Sequence, residues 1–297
     1  MAIRALVCTD GSKSSRKTLD YTIRLARKLP MEMVVAHALD LAKLDYRMIA
    51  DMYLEMIQQR AKETAEALLK REARVLHEAG VDVRPRLLLG PPGRAICEAA
   101  EDEDVSLVVI GRRGQSDIQD LLFGSVSSYV VHHSERPVLV VKRIGRFPTG
   151  PAADQPVRCL VGADGSEATD RCLDALVELA DGSDAFHVTL LHAVNPAQPG
   201  LEHLPGEARY EALRSLHEEA EALLSTAAER LRKAGLHVDT RVEEGSAGKT
   251  LCRIYEEDEH ELVVVGRRGY SGLREAVIGS VSHFVMHHCP GHVLVVP

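Results

Sequence analysis

Several features that would place a 297-residue chain in a specialised class are missing. No apolar run approaches the roughly 20 residues of a spanning helix, so no helical membrane segment is expected. The opening Met1-Ala2-Ile3-Arg4-Ala5-Leu6-Val7-Cys8 leads at once into Thr9-Asp10-Gly11-Ser12 with no secretory h-region or cleavage site, and the expected location is the cytoplasm. No Lys/Arg-rich block exists and the formal net charge is −8. That argues against a nucleic-acid binder, because neutralising a phosphate backbone needs a basic face. The six cysteines, Cys8, Cys97, Cys159, Cys172, Cys252 and Cys289, include no C-x-x-C pair, which suits reduced, mostly buried thiols better than a disulfide framework or a zinc site. What remains is a globular composition, 45% hydrophobic and 27% charged, in a chain long enough for two domains that each bury a core.

The chain is an internal duplication. Residues 107 to 141 align without a gap on 262 to 296, an offset of 155, with 19 identities in 35 positions. Upstream, Asp10-Gly11-Ser12 matches Asp164-Gly165-Ser166 at an offset of 154, as a one-residue insertion or deletion in an intervening loop would produce. Both copies carry one motif. Gly111-Arg112-Arg113-Gly114, nine residues, then Gly124-Ser125-Val126-Ser127 follows the apolar run Leu107-Val108-Val109-Ile110; Gly266-Arg267-Arg268-Gly269, nine residues, then Gly279-Ser280-Val281-Ser282 follows Leu262-Val263-Val264-Val265.

Apolar runs alternate with helical periodicity in each copy. In the first they predict strands at Ile3–Cys8, Met33–Ala38, Val81–Leu89, Val105–Ile110 and Pro137–Val141. Between them fall a helix capped by Ser14 or Ser15 and running to about Leu29, a long helix from about Tyr46 to Ala79 closed by Gly80, one opened by Pro91-Pro92-Gly93, and one from Ser125 to His133. The second copy repeats this order from Val157, with its long helix at about Glu207–Ala234. Domains are expected at 1–144 and 157–297, joined by a Gly/Pro/Ala linker at 145–156. The fold class is α/β, each domain a five-stranded parallel sheet with helices on both faces.

In open α/β sheets ligands bind beyond the carboxyl ends of strands where the strand order reverses. The Asp10 (Asp164) turn follows the first strand and the glycine motif follows the fourth. If those strands are neighbours, carboxylate and glycines face one crevice. Gly111 and Gly114 permit close backbone approach, and Gly124-Ser125 places free amides at a helix N-terminus, where a phosphate is held. Taken singly, a G-x-x-G is a tight turn and Asp-Gly-Ser is ordinary turn chemistry; the duplicated whole favours a phosphorylated small molecule. Gly248-Lys249-Thr250 is not a P-loop, since Glu243 occupies the place of its first glycine, and no G-x-G-x-x-G follows the first strand. His132-His133 and His287-His288 end short helices, where imidazoles cap carbonyls more readily than they gather a metal. His37 and His192 are left between crevice and core. No nucleophile with a base and a third group stands out, so binding is better supported than catalysis.

The two motifs, with their L-V-V-I-G or L-V-V-V-G lead and P-V-L-V-V or H-V-L-V-V sequel, and the repeated Leu6–Ser12 and Leu160–Ser166 segments, resemble the ATP-binding class of the universal stress protein family. The resemblance covers both copies and marks a tandem member. It implies Rossmann-like domains of the adenine nucleotide alpha hydrolase-like type, with ATP, or alternatively ADP or AMP, in each crevice and magnesium through the phosphates only. Carried over by position, Thr9 and Asp10 contact base or ribose and Ala38 presents backbone to adenine. Ile110, Gly111, Arg113 and Gly114 border ribose and phosphates, and Gly124, Ser125, Val126 and Ser127 bind phosphates. The second set is Ala163, Asp164, Ala193, Val265, Gly266, Arg268, Gly269, Gly279, Ser280, Val281 and Ser282. The resemblance also implies pairing through last strands, here an internal pseudo-dimer through Val138–Val141 and Val293–Val296, with a homodimer as an alternative. Pro290-Gly291-His292 replaces the single Pro137, so less regular strand pairing is expected there. The function implied is a nucleotide-dependent stress sensor or regulator with little or slow hydrolysis; the alternatives are an ATPase or nucleotide-transferring enzyme using the same pocket, and an adaptor module whose glycine loops are only structural.

Overall fold

A computed structural model describes residues 3–43, 51–112, 123–142, 154–198, 200–269 and 278–297. The chain divides into two compact units, Met1–Arg143 and Ile144–Pro297. Most of the expected linker, 145–153, lies outside the described residues.

The first unit runs β1 (Ile3–Cys8), α1 (Lys13–Ala26), β2 (Met31–Leu39), α2 (Asp51–Glu78), β3 (Asp82–Leu89), α3 (Pro92–Asp102), β4 (Leu107–Gly111), α4 (Ser125–His133) and β5 (Val138–Val141). Its strands are all parallel, in the order β3-β2-β1-β4-β5. The second unit runs β6 (Val157–Gly162), α5 (Glu167–Ala180), β7 (Phe186–Val194), α6 (Gly206–Lys233), β8 (His237–Glu244), α7 (Ala247–Glu257), β9 (Leu262–Gly266), α8 (Ser280–His288) and β10 (His292–Val296). Its order is β8-β7-β6-β9-β10, again parallel. In each unit the chain steps outward over three strands and then returns to the other side of the first, so the order reverses between β1 and β4 and between β6 and β9.

Local chemistry explains the elements. The central strands β1, β4, β6 and β9 are apolar almost throughout and buried, as a sheet covered on both faces requires. Gly80 and Gly235, at φ +83° and +89°, reverse the chain after α2 and α6. The cap of α1 differs from expectation. Ser12, not Ser14 or Ser15, is the capping residue, its hydroxyl accepting from the Ser15 amide at 3.1 Å, while buried Ser15 turns its own hydroxyl back to Ser12 O at 2.9 Å. Gly11 at φ +75° completes the Asp10 turn quickly enough for the helix to start there. α1 also ends at Ala26 rather than Leu29, which is buried in the following turn. β10 pairs with β9 from His292↔Leu262 to Val296↔Gly266, one residue more than β5 makes with β4, so Pro290-Gly291 leaves the pairing regular. Gly291 is needed there because a Cβ would lie 2.2 Å from Cε2 of buried Tyr255.

The outer strands β3 and β8 carry charge. Arg86 reaches Glu103 at 2.7 Å and Asp102 at 3.1 Å, and its counterpart Arg241 reaches Asp258 and Glu243 at 2.6 Å each. All six cysteines are free thiols; Cys8, Cys159, Cys172 and Cys289 are buried, and burial pushes the Cys8 and Cys172 thiols up to about 12. The histidine pairs do cap carbonyls: Nδ1 of His132, His133 and His288 donates to the carbonyls of Ser128, Tyr129 and Phe284 at 2.6, 2.8 and 3.0 Å.

Candidate functional site

β1 and β4 are hydrogen-bonded neighbours, as are β6 and β9, so in each unit the aspartate turn and the glycine motif leave the same edge of the sheet side by side. The base of the glycine loop is closed alike in both. The Arg112 amide donates to Val141 O at 2.9 Å and Gly124 N to Arg112 O at 3.1 Å; the Arg267 amide donates to Val296 O at 2.5 Å and Gly279 N to Arg267 O at 2.8 Å. Gly124 and Gly279 occupy the N-cap position in extended conformation, so Ser125 and Ser280 are first residues of their helices rather than caps. The amides at the start of α4 and α8 therefore have no acceptor within the helix and carry the positive end of its dipole.

In the second unit these parts enclose a cavity of about 280 Å³. All eleven residues expected there line it: Ala163, Asp164, Ala193, Val265, Gly266, Arg268, Gly269, Gly279, Ser280, Val281 and Ser282. Asp164 is its polar centre. One carboxylate oxygen accepts from the Ser166 amide at 3.0 Å, the Ser166 hydroxyl at 2.6 Å and the Thr169 hydroxyl at 2.9 Å. Partial burial would raise this carboxyl, but the Ser166 and Thr169 donors outweigh it and hold the group below the usual carboxylate range. Its other oxygen faces the loop, and a Cβ added to Gly269 would sit 2.9 Å from it. A Cβ at Gly266 would lie 2.6 Å from that of Ala168, so glycine is what lets the end of β9 approach α5.

The sequence missed Gly162, Ser166, Ala168, Thr169, Leu191, Ala247 and Leu251 as lining residues, and left His192 open. His192 Nδ1 donates to Ala163 O at 2.8 Å, and His37 Nδ1 to Thr9 O at 2.8 Å. Each therefore ties the end of the second strand to the end of the first and borders a cavity. A repeated histidine at that place was the available signal. Ala247 and Leu251 come from α7, whose distance along the chain hid them.

In the first unit the corresponding strand ends carry Thr9, Asp10, Ala38, Ile110, Gly111, Gly124, Ser125, Val126 and Ser127, while Arg113 and Gly114 lie outside the described residues. The Thr9 hydroxyl accepts the Gly11 amide at 3.2 Å and Asp10 accepts the Ser12 amide at 3.0 Å, both shaping the turn. A cavity of about 520 Å³ opens beside Asp10, lined from the strands by His37 and Leu39, which flank Ala38, and from α2 by Ile57, Arg60, Ala61, Thr64, Ala65 and Leu68. Ser127 and Ser282 are buried, and their hydroxyls donate to carbonyls of the glycine motif, Arg112 O at 2.8 Å and Gly266 O at 2.5 Å. They brace the loop.

The sequence pattern of the Universal stress protein family matches residues 1–142 and again 157–297. The chain belongs to the universal stress protein family. A universal stress protein of Methanocaldococcus jannaschii is 29% identical over 140 residues, covering 47% of this chain and 82% of its own length. One from Mycolicibacterium smegmatis is 29% identical over 254 residues, covering 82% of this chain and 79% of its own. Among solved structures, a universal stress protein from Archaeoglobus fulgidus shares the fold at a TM-score of 0.69 with 24% identity, over 99% of this chain and 97% of that one. This universal stress protein thus carries two family repeats in one chain. Among the described residues no helix is long and apolar enough to cross a membrane, and no group of three or more His, Cys, Asp or Glu side chains is placed to hold a metal ion.

Proposed function

We propose that this protein is an ATP-binding stress-response protein, a cytoplasmic nucleotide-dependent sensor or regulator that hydrolyses its ligand slowly or not at all. The observation that carries the reading is the convergence, on one cavity of the second unit, of Asp164, the glycines 266, 269 and 279, Arg268 and the amide end of α8. A carboxylate and a cationic, donor-rich helix start lining one cavity suit a ligand that joins a hydrogen-bonding nucleoside to phosphate. Asp164 and Asp10 would take base or ribose, Ala193 and Ala38 would present backbone to adenine, and the amides of Ser280–Ser282 and Ser125–Ser127 would hold phosphates. Arg268 and Arg113 would offset phosphate charge, with magnesium carried by the phosphates.

Small molecules extracted from freshly purified protein and identified by mass spectrometry, followed by titration with ATP, test this. Two nucleotides per chain are expected, lost together in the Gly124→Val plus Gly279→Val protein. No adenine nucleotide in the extract and no binding on titration would leave the loops as structural turns. Incubation with ATP and magnesium is expected to give slow turnover or none; rapid turnover abolished by the two valines would make the protein an enzyme instead.

A further inference from the structure

The glycine motifs are duplicated faithfully, but the charges around the two crevices are not. The helix that follows the aspartate turn begins Lys13-Ser14-Ser15-Arg16 in the first unit and Glu167-Ala168-Thr169-Asp170 in the second, a reversal of sign at two equivalent positions. On the long helix covering the same turn, Arg60 and Arg71 correspond to Ser215 and Thr226 at the offset of 155, which equates the Leu68 that packs on Gly11 with the Leu223 that packs on Gly165.

These cations sit on the Asp10 side of the first crevice. Arg60 lines the cavity that Asp10 and His37 also line. The Arg71 guanidinium lies 3.8 Å from where a Cβ on Gly11 would be. Arg71 and Arg16 share one buried carboxylate, Glu72, at 2.7 and 3.6 Å, so two positive charges meet a single negative one. Lys13 and Arg60 are exposed and, among the described residues, have no carboxylate at ion-pair distance. In the second unit Glu167 is paired with Arg171 at 3.8 Å, and Arg230 reaches both Asp170, at 3.0 Å, and Asp174, so at this turn the described residues of α5 and α6 add no unpaired cation to Arg268, whose counterpart in the first copy is Arg113.

We propose that the two crevices of this chain select ligands of different charge, the first favouring a nucleoside triphosphate and the second accepting a mono- and a triphosphate more evenly. The inference rests on the nucleotide reading of both crevices. Its cause is the surplus of positive charge that the described residues place around Asp10. Charges within about a Debye length, roughly 10 Å at 0.1 M salt, add to whatever the glycine loop contributes, and their effect grows with each ligand phosphate.

The test uses the full chain with one crevice blocked at a time. Gly279→Val leaves the first site and Gly124→Val the second; calorimetric titration with ATP and with AMP at 50 mM salt gives an affinity ratio for each. The ATP:AMP ratio is expected to be about tenfold larger at the first site, to fall toward that of the second at 500 mM salt, and to collapse in Gly279→Val carrying Lys13→Glu and Arg60→Ser. Equal ratios at the two sites, or a ratio that neither salt nor the two charge changes moves, overturn the proposal while leaving nucleotide binding intact. Failure of the unsubstituted chain to bind either nucleotide overturns the nucleotide reading and this inference with it.

Discussion

The contact between Asp164 and Gly269 gives the sharpest handle on the site, because one methyl group should disable it without unfolding the unit. In Gly269→Ala the new Cβ would lie 2.9 Å from Asp164 Oδ2, where ordinary contact begins at 3.4 Å, so the carboxylate or the loop must give by about 0.5 Å. The carboxylate resists, since its other oxygen holds three donors at 2.6 to 3.0 Å. Breaking one hydrogen bond to a buried charged group costs about 1.5–3 kcal/mol. Asp164 is exposed enough for water to replace most of that, which leaves roughly 0.5–1 kcal/mol and a Tm lower by about 1–4 °C for a unit of this size. Binding should suffer more, because the displaced group and the loop border the same cavity and a ligand needs both in register. A loss of at least tenfold, about 1.4 kcal/mol, is expected at this site, so that titration detects one tight nucleotide per chain in place of two. Calorimetric stoichiometry with a thermal melt on the same sample reads both numbers. Two nucleotides bound at unchanged affinity would show that the gap between Asp164 and Gly269 is not the ligand seat, and a melt lowered by more than 10 °C would show that the loop belongs to the core.

Three further outcomes follow from the packing. Burial depresses the pKa of His260 below its usual 6.5, so the fold holds the neutral ring and its contribution is complete above that value and declines as pH falls toward the lower folded one; urea midpoints at pH 7.5 and 5.5 should differ more for the native chain than for His260→Gln. A Cβ at Gly248 would meet Phe284 Cδ1 at 2.8 Å and its Cβ at 3.0 Å, so Gly248→Ala should cost about 1–3 kcal/mol despite the better helix former, and Phe284→Ala in the same chain should remove that cost; additive losses in the double-mutant cycle would contradict it. Arg241→Met should cost about 1 kcal/mol, and 1 M salt should narrow its difference from the native chain, as measured by urea unfolding.

The order of elements was legible because period and burial agree. Short, β-branched runs such as Leu107-Val108-Val109-Ile110, ended by a glycine, read as strands covered on both faces, and duplication supplied an independent second copy. Ends of elements were less legible because they depend on single side-chain choices. Ser12, Ser14 and Ser15 are equally good capping residues, and only the positive φ of Gly11 makes Ser12 the first that can serve. The crevice was legible as two loops but not as a cavity. That Ala168, Thr169, Ala247 and Leu251 join it depends on which helix starts lie against the ends of β6 and β9, a relation that no local spacing encodes.

Ser127 and Ser282 show how far residue type alone reaches. A serine near a helix N-terminus in a glycine motif suits phosphate, and the resemblance assigned both serines that work. A hydroxyl has one hydrogen to give, however, and here it goes to a loop carbonyl from a side chain that is almost wholly buried. Ser125 and Ser280, two residues earlier, are exposed at the first position of their helices and have the hydroxyl to spare. Removing the two kinds of hydroxyl should therefore act through different quantities. Ser280→Ala should weaken nucleotide binding at the second site severalfold with Tm unchanged. Ser282→Ala leaves the carbonyl of Gly266 short of a donor under buried surroundings, so it should lower Tm and weaken binding together, at about 1–3 kcal/mol for the orphaned acceptor. If both alanines weakened binding with no change in Tm, the bracing role of Ser282 would be wrong and its hydroxyl would have to turn toward the ligand when one is bound.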